Sequence, residues 1–360
     1  MNILQIIPAL ESGGVETGTI DLSLSLKKLG QTVVVVSSGG RMVKELENNG
    51  ILHIKLPVHK KSPTSLFVIP KVAQVIKTHK IDVVHASSRL PAWIAFLACK
   101  VTKTVFVTSC HGFYSKHFFS SIMARGKLVM VISKTIEKRM TEDFGVPKKK
   151  IRLIYRGLDL SRYDYLQDKY DKRSAMPIVL NIGRLTPIKG QYGFIKAMKH
   201  VTDKNKNVEA WIIGGVQKGK ENYFDRLQAL VKELALEKNI RFFGLKSNVP
   251  KLLKKGDCLV LSTNVPEGFG RTLIEAGAVG TVTCASNTGG IPEIIDDGIS
   301  GILFPPGNDI KMAEGILKLL ENPGLSKTLA QNLRKKVEQN FTLTQMAEST
   351  LSVYKEAILH

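Results

Sequence analysis

Short apolar runs alternate with helical periodicity along nearly the whole of this 360-residue chain. In the first half the runs are Ile3–Ile7, Thr32–Val36, Ile51–Leu56, Val83–His85, Val105–Thr108, Val129–Ile132 and Ile151–Ile154. Helix-spaced segments such as Glu16–Leu29, Leu66–His79 and Lys134–Phe144 fill the gaps between them. A strand that is apolar at every position has both faces covered, and intervening helices supply the cover. The pattern predicts a parallel sheet wound on both sides by helices. It fades in a polar, tyrosine-rich stretch from Arg156 to Pro177, then restarts with Ile178–Asn181, Glu209–Ile213, Ile240–Phe243, Cys258–Ser262, Val282–Ala285 and Gly301–Phe304. Three helical stretches close the chain, the last near Leu343–Leu359. The expected fold is α/β, two Rossmann-like doubly wound domains facing a central cleft. Residues 1–160 form the first domain and 177–342 the second, with a linker at 161–176 and the C-terminal helix, about 343–360, packed back on the first domain.

Ligands in such sheets bind beyond the carboxyl ends of the strands, and the chemistry-bearing residues fall there. Glu267 and Glu275 lie eight residues apart in EGFGRTLIEA, which leaves the strand Cys258–Ser262 through a glycine-rich loop and enters a helix. A helix start offers unpaired amides and partial positive charge, so it can hold a phosphate. Carboxylates beside it suit the hydroxyls of a sugar. The combination suggests a ligand with an anionic middle and hydroxyl-rich ends, as in a nucleotide-sugar. NIGRLTPIKGQ, at the opening of the second domain, places Arg184 and Lys189 around a Pro187-containing turn. Arg binds phosphate bidentately and Lys acts as a point charge, so both suit one anion.

The first domain carries weaker signals. ESGGVETG brings Gly13 and Gly14 to the start of the first helix, where backbone can approach a ligand closely. It is not G-x-G-x-x-G, and no acidic residue closes the second strand, which disfavours a nicotinamide dehydrogenase. His111, in TSCHGFY, follows a strand end and is a candidate site residue, whereas His85, in DVVHAS, reads as packed near a strand end. The stretch from Gly112 to Lys127 mixes aromatics with Lys116, His117, Arg125 and Lys127. It fits either an amphipathic helix on its own domain or a surface that meets anionic lipid or an acceptor.

Absences narrow the chemistry. No Asp-x-Asp pair and no His/Cys cluster at metal-ligand spacing occurs, so no metal and no other cofactor is expected. Four scattered cysteines, Cys99, Cys110, Cys258 and Cys284, fit buried thiols in a reducing compartment. The N-terminus has no basic leader, and no apolar run reaches the roughly 18 to 20 residues of a membrane span. The net charge of +21 is uneven: residues 1–176 hold 28 Lys+Arg against 13 Asp+Glu. Such a field draws anionic partners. With no nucleic-acid module in the sequence, an anionic membrane surface or a phosphorylated acceptor is preferred over nucleic acid.

Together these motifs resemble the family-four glycosyltransferases, retaining enzymes of the GT-B architecture. The resemblance runs through GGVET, CHG, GRLTPIKG, FFG at Phe242–Gly244, EGFGRTLIEA, TGGIPEII and DGISGILF. It implies that Arg184 and Lys189 neutralise a donor diphosphate, that Glu275 binds the ribose and that Glu267 binds the transferred sugar. It also implies that backbone from Gly268 through Phe269, Gly270, Arg271 and Thr272 to Leu273 cradles sugar and phosphate. Backbone near Leu245 reads the base, Gly14 approaches donor or acceptor, and His111 meets the sugar near its reacting face. The implied reaction is retaining, metal-independent hexosyl transfer from a UDP- or GDP-linked sugar to a glycan or lipid-linked acceptor. Lipopolysaccharide or another bacterial envelope glycan is the expected pathway, in the cytoplasm or at the cytoplasmic face of the inner membrane. A nucleotide-sugar epimerase of similar fold and a non-catalytic nucleotide-sugar-binding protein are the alternatives. In IYRGLD, Arg156 and Leu158 stand where Asn and Val are commoner in the family, and Thr281 and Thr283 replace a more usual Pro-containing strand entry.

Overall fold

A computed structural model describes residues 1–11, 13–59, 66–171, 175–216, 219, 221–246 and 248–359. The chain divides into two compact units, Met1–Asp159 with Thr342–His360, and Leu160–Phe341. Each is a doubly wound, Rossmann-like α/β domain.

The first unit holds strands β1 (Asn2–Ile6), β2 (Thr32–Ser37), β3 (Leu52–Lys55), β4 (Val83–Ala86), β5 (Val105–Cys110), β6 (Val129–Val131) and β7 (Ile151–Leu153). All pair in parallel, in the order β3-β2-β1-β4-β5-β6-β7. The central strands are buried on both faces and are mostly apolar, with Gln5, His85, Thr108 and Ser109 as buried polar exceptions. The C-terminal helix, Leu343–Leu359, belongs to this unit. Its Leu343, Tyr354 and Ala357 enter the same core as Ile3, Val35 and Val83. The chain returns beside its own exit, where the Leu343 amide donates to the Leu158 carbonyl at 2.8 Å.

The second unit holds β8 (Ile178–Ile182), β9 (Glu209–Ile213), β10 (Ile240–Gly244), β11 (Cys258–Leu261), β12 (Val282–Ser286) and β13 (Ile302–Phe304). They form a second all-parallel sheet in the order β10-β9-β8-β11-β12-β13. In this order β8 starts the chain path and sits inside the sheet. The path runs outward through β9 and β10, then crosses back to β11 on the other side of β8. Loops leaving β8 and β11 therefore diverge, and a crevice opens between their carboxyl ends.

The described part of the segment read as a linker is anchored on the second unit; 172–174 lie outside the described residues. The Lys169 ammonium donates to the Leu253 carbonyl at 2.9 Å and the Thr281 hydroxyl at 2.6 Å, and burial lowers its pKa to about 7. The Tyr170 hydroxyl donates to the Asp257 carbonyl and accepts from the Val282 amide. From Gly112 to Lys127 there is no continuous amphipathic helix: one turn, Phe118–Ser121, passes into a tighter one, Ile122–Ala124. Side chains take carbonyls a longer helix would have used. Trp93 Nε1 donates to the Phe119 carbonyl at 3.1 Å, and Thr108 Oγ1 donates to the Met123 carbonyl at 2.7 Å.

Candidate functional site

At the β8/β11 crevice, two loops are bolted together by hydrogen bonds. β8 leads through Gly183 and Arg184 into the turn Pro187–Lys189, and the helix Gln191–Lys204 follows. From the other side, Ser262 Oγ donates to the Lys189 carbonyl at 3.0 Å and Thr263 Oγ1 to the Ile188 carbonyl at 2.8 Å. The Asn264 amide also donates to Ile188 O at 3.0 Å, and buried Asn181 donates to Ser262 Oγ at 2.9 Å. Gly190 makes this contact possible. Its φ is +71°, and a Cβ there would overlap the Ser262 carbonyl oxygen.

With the loops so fixed, Lys189 and Glu267 meet. Their ammonium and carboxylate form an ion pair, each side chain about one-fifth exposed. The backbone of Glu267 is held from behind, because the Gly290 amide donates to its carbonyl at 2.8 Å. Gly289, at φ +63°, lies so close that a Cβ would strike Glu267 backbone atoms. Past the buried ring of Phe269, packed edge-on against Phe341 at 5.6 Å, the chain enters the helix Arg271–Val279. The first turn of that helix faces negative charge favourably, with the Leu273 amide donating to the Gly270 carbonyl at 2.9 Å. One turn in, Glu275 accepts from Arg271 Nε at 3.0 Å and from the Tyr163 hydroxyl at 3.3 Å. Burial and this carboxylate keep the Tyr163 phenol protonated far above its usual range.

Of the residues the sequence singled out in this domain, Lys189 and Glu267 are brought into direct contact. Gly268, Gly270, Arg271, Thr272, Leu273 and Glu275 follow in the same loop and the first turns of its helix. Arg184 is exposed, and its side chain makes no hydrogen bond or ion pair among the described residues; only its carbonyl is used, by Gln191 Nε2 at 3.0 Å. A guanidinium left facing solvent is available to an anion. Leu245 is exposed just past β10. Sequence reasoning missed Tyr163, Ser262, Thr263 and Asn264. The last three stand directly after an apolar strand, which was the available signal; Tyr163 lay in the stretch read as linker.

In the first unit His111 directly follows β5, and both ring nitrogens have protein partners. Nδ1 lies 3.0 Å from Arg156 Nη2 and Nε2 lies 2.6 Å from Ser109 Oγ. A guanidinium only donates, so Nδ1 accepts and the proton of the neutral ring resides on Nε2. Burial, then the charge of Arg156, then His85 hold the His111 pKa well below 6.5, so the ring stays neutral. Ser109 Oγ accepts from His111 and also reaches His85 Nε2 at 2.8 Å, while His85 Nδ1 meets the Tyr354 hydroxyl at 2.6 Å. His85 is thus packed inside the unit, as its sequence context suggested. Arg156, noted only as a family departure, is the unforeseen member of this chain. His85, Ser109, His111 and Arg156 line a cavity of about 40 Å³ that also touches Gln5 and Thr19. Gly14 opens the helix Gly14–Lys28, and a Cβ on it would meet no protein atom. Among the described residues no cluster of three His, Cys, Asp or Glu is placed to hold a metal ion.

Comparison with known proteins finds relatives of this chain by sequence and by fold. Residues 164–336 match the family described as Glycosyl transferases group 1, and residues 12–162 match Glycosyltransferase Family 4. A solved glycosyltransferase from Rickettsia africae is 34% identical, with 99% of this chain and 98% of that one covered at a TM-score of 0.89. Anabaena Alr3699/HepE, solved with UDP-glucose, shares the fold at 23% identity and a TM-score of 0.87, covering 99% of this chain and 100% of that one. The N-acetyl-alpha-D-glucosaminyl L-malate synthase of Bacillus anthracis is 24% identical over 98% of this chain and 95% of its own length.

Proposed function

We propose that this chain, which belongs to the group 1 glycosyltransferases of family 4, moves a hexose-type sugar from a nucleotide-sugar to an acceptor hydroxyl with retention of configuration. The observation that carries the donor assignment is the Lys189–Glu267 pair at the switch point of the second sheet, beside the start of the helix Arg271–Val279. The donor diphosphate would draw Lys189 away from Glu267, join the exposed Arg184 and face the helix amides. Glu267, released, accepts from hydroxyls of the sugar. Glu275, already fixed by Arg271 and Tyr163, accepts from the ribose. Backbone beside Leu245 meets the base. The UDP-glucose seen in Alr3699/HepE makes uridine the first base to test.

In the reaction the bond from the anomeric carbon to the phosphate oxygen breaks and a bond to the acceptor oxygen forms on the same face. The acceptor proton passes to the departing phosphate. The protein stabilises the growing diphosphate charge with Arg184, Lys189 and the helix amides, a role that here needs no metal. His111 and Gly14 contact sugar or acceptor from the first unit. Because His111 already gives its Nε2 proton to Ser109, a sugar hydroxyl must replace Ser109 as its partner. The acceptor is a glycan or lipid-linked molecule of the cell envelope, a choice supported by the basic excess of residues 1–176.

A panel of UDP- and GDP-sugars read by thermal shift tests this. One donor is expected to raise the melting temperature by several degrees at a large excess over its Kd, about 2.7 kcal/mol at a hundredfold excess. The same donor should then yield a product whose anomeric configuration, read by NMR, matches the donor's. Inversion would refute the mechanism. Binding without any release of free nucleotide, whatever acceptor pool is supplied, would favour a silent binding protein.

A further inference from the structure

We propose that the first unit seats on an anionic lipid bilayer through an aromatic platform built by the helix Arg89–Thr102 and the turns Phe118–Ser121 and Ile122–Ala124. This deepens the reading that the acceptor is lipid-linked, but the surface is argued from its own features.

A surface helix normally turns polar side chains outward. The helix Arg89–Thr102 instead presents Trp93, Leu97 and Val101, spaced four apart on one stripe. Leu97 is 37% and Val101 68% exposed. Next to that stripe stand Phe118 and Phe119, 68% and 57% exposed. Two large aromatic side chains so open to water cost free energy that burial in another phase would recover. They are also held in place. The Phe118 ring stacks on Trp93 with centroids 5.1 Å apart and meets Phe119 edge-on at 6.2 Å, and the Trp93 indole N–H is tied to the Phe119 carbonyl. The platform is thus ordered before any partner arrives.

Its charge selects the partner. From residue 83 to residue 136 there is no Asp or Glu at all, but seven Lys and Arg. Arg125 lies over Trp93 at 5.4 Å and Phe96 at 5.9 Å, and Lys100 lies over Phe96 at 5.6 Å. Lys116, Arg125 and Lys127, from the same stretch of chain as the two Phe, are exposed as well. Rings at the interface level with cations at the headgroups match an anionic bilayer, where each Lys or Arg adds on the order of 1 kcal/mol. No helix among the described residues is long and apolar enough to cross a membrane, so the contact is peripheral.

The vesicle-binding measurements use the full chain and no nucleotide-sugar, so their failure leaves the transferase reading untouched. The chain should co-sediment with phosphatidylglycerol-containing vesicles and much less with phosphatidylcholine alone, and high salt should weaken the binding. The Phe118→Ser/Phe119→Ser variant removes only exposed side chains. It should melt with the parent, keep donor hydrolysis and lose roughly tenfold in partition to vesicles. Only Trp93 and Trp211 report by fluorescence, so in a Trp211→Phe background Trp93 emission should shift to the blue on anionic vesicles. Equal recovery on both lipids, or an unmoved Trp93, would overturn the proposal. So would a parent dimer that the double Phe variant dissociates, since a second copy of the chain would then be the occupant.

Discussion

Glu267→Ala is expected to lower kcat by about a hundredfold or more while the melting temperature stays near that of the parent. The side chain is one-fifth exposed and lies outside the core, and its backbone is fixed independently by the Gly290 amide. In the proposed donor site the substitution would remove a carboxylate that accepts from sugar hydroxyls, and it removes the ion-pair partner of Lys189. Losing an acceptor that strengthens as the sugar becomes cation-like acts on the transition state, so kcat should fall more than KM rises. Lys189→Ala should differ in kind. On the proposed site it would remove a cation from the diphosphate, raising donor KM as well as lowering kcat, and it leaves Glu267 without its ion-pair partner. A Glu267→Ala enzyme that transfers at the parent rate would remove this residue from the site.

Gly190→Ala should cost about 2 kcal/mol or more in stability, a fall in melting temperature of roughly 5 °C. Position 190 lies at φ +71°, a region that costs an L side chain on the order of 1 kcal/mol. A Cβ there also strikes the Ser262 carbonyl, which is backbone and cannot rotate away. The helix Gln191–Lys204 carries Phe194, Ile195 and Met198, all fully buried, so it cannot retreat without opening the core. If it shifts at all, the turn holding Lys189 shifts with it, and activity falls beyond the loss of folded protein. Gly193→Ala is the control. It lies in the same helix with no atom within 4 Å of its Cβ, and should be neutral or slightly stabilising. Differential scanning calorimetry of both variants distinguishes a strained turn from a general intolerance of this helix.

Both sheets were legible because buried parallel strands have no solvent face and show as short apolar runs, β2 and β11 most plainly. The charged set was legible for a related reason: Lys189 and Glu267 follow strand ends, where such folds bind ligands. Their contact was not. It depends on β8 and β11 being neighbours, although 75 residues separate Ile182 from Cys258 in the chain and two other strands intervene. The described part of the stretch 161–176 reads as a linker because Tyr163, Lys169 and Tyr170 look polar in sequence. In the fold their apolar bodies pack on the second unit while their tips find Glu275, Leu253 and Asp257. Arg156 reaches His111 across 45 residues, and no local periodicity records such a pairing. The aromatic platform lay half in view: the mixture of rings and cations from Gly112 to Lys127 was evident, but the Trp93 helix beside it was not.

A crystal structure with UDP bound tests the donor site most directly. The diphosphate should lie at the start of the helix Arg271–Val279, with the Lys189 ammonium and the Arg184 guanidinium each about 3 Å from phosphate oxygens and the ribose on Glu275. A nucleotide bound elsewhere, with Lys189 still paired to Glu267 and Arg184 still in solvent, would contradict it.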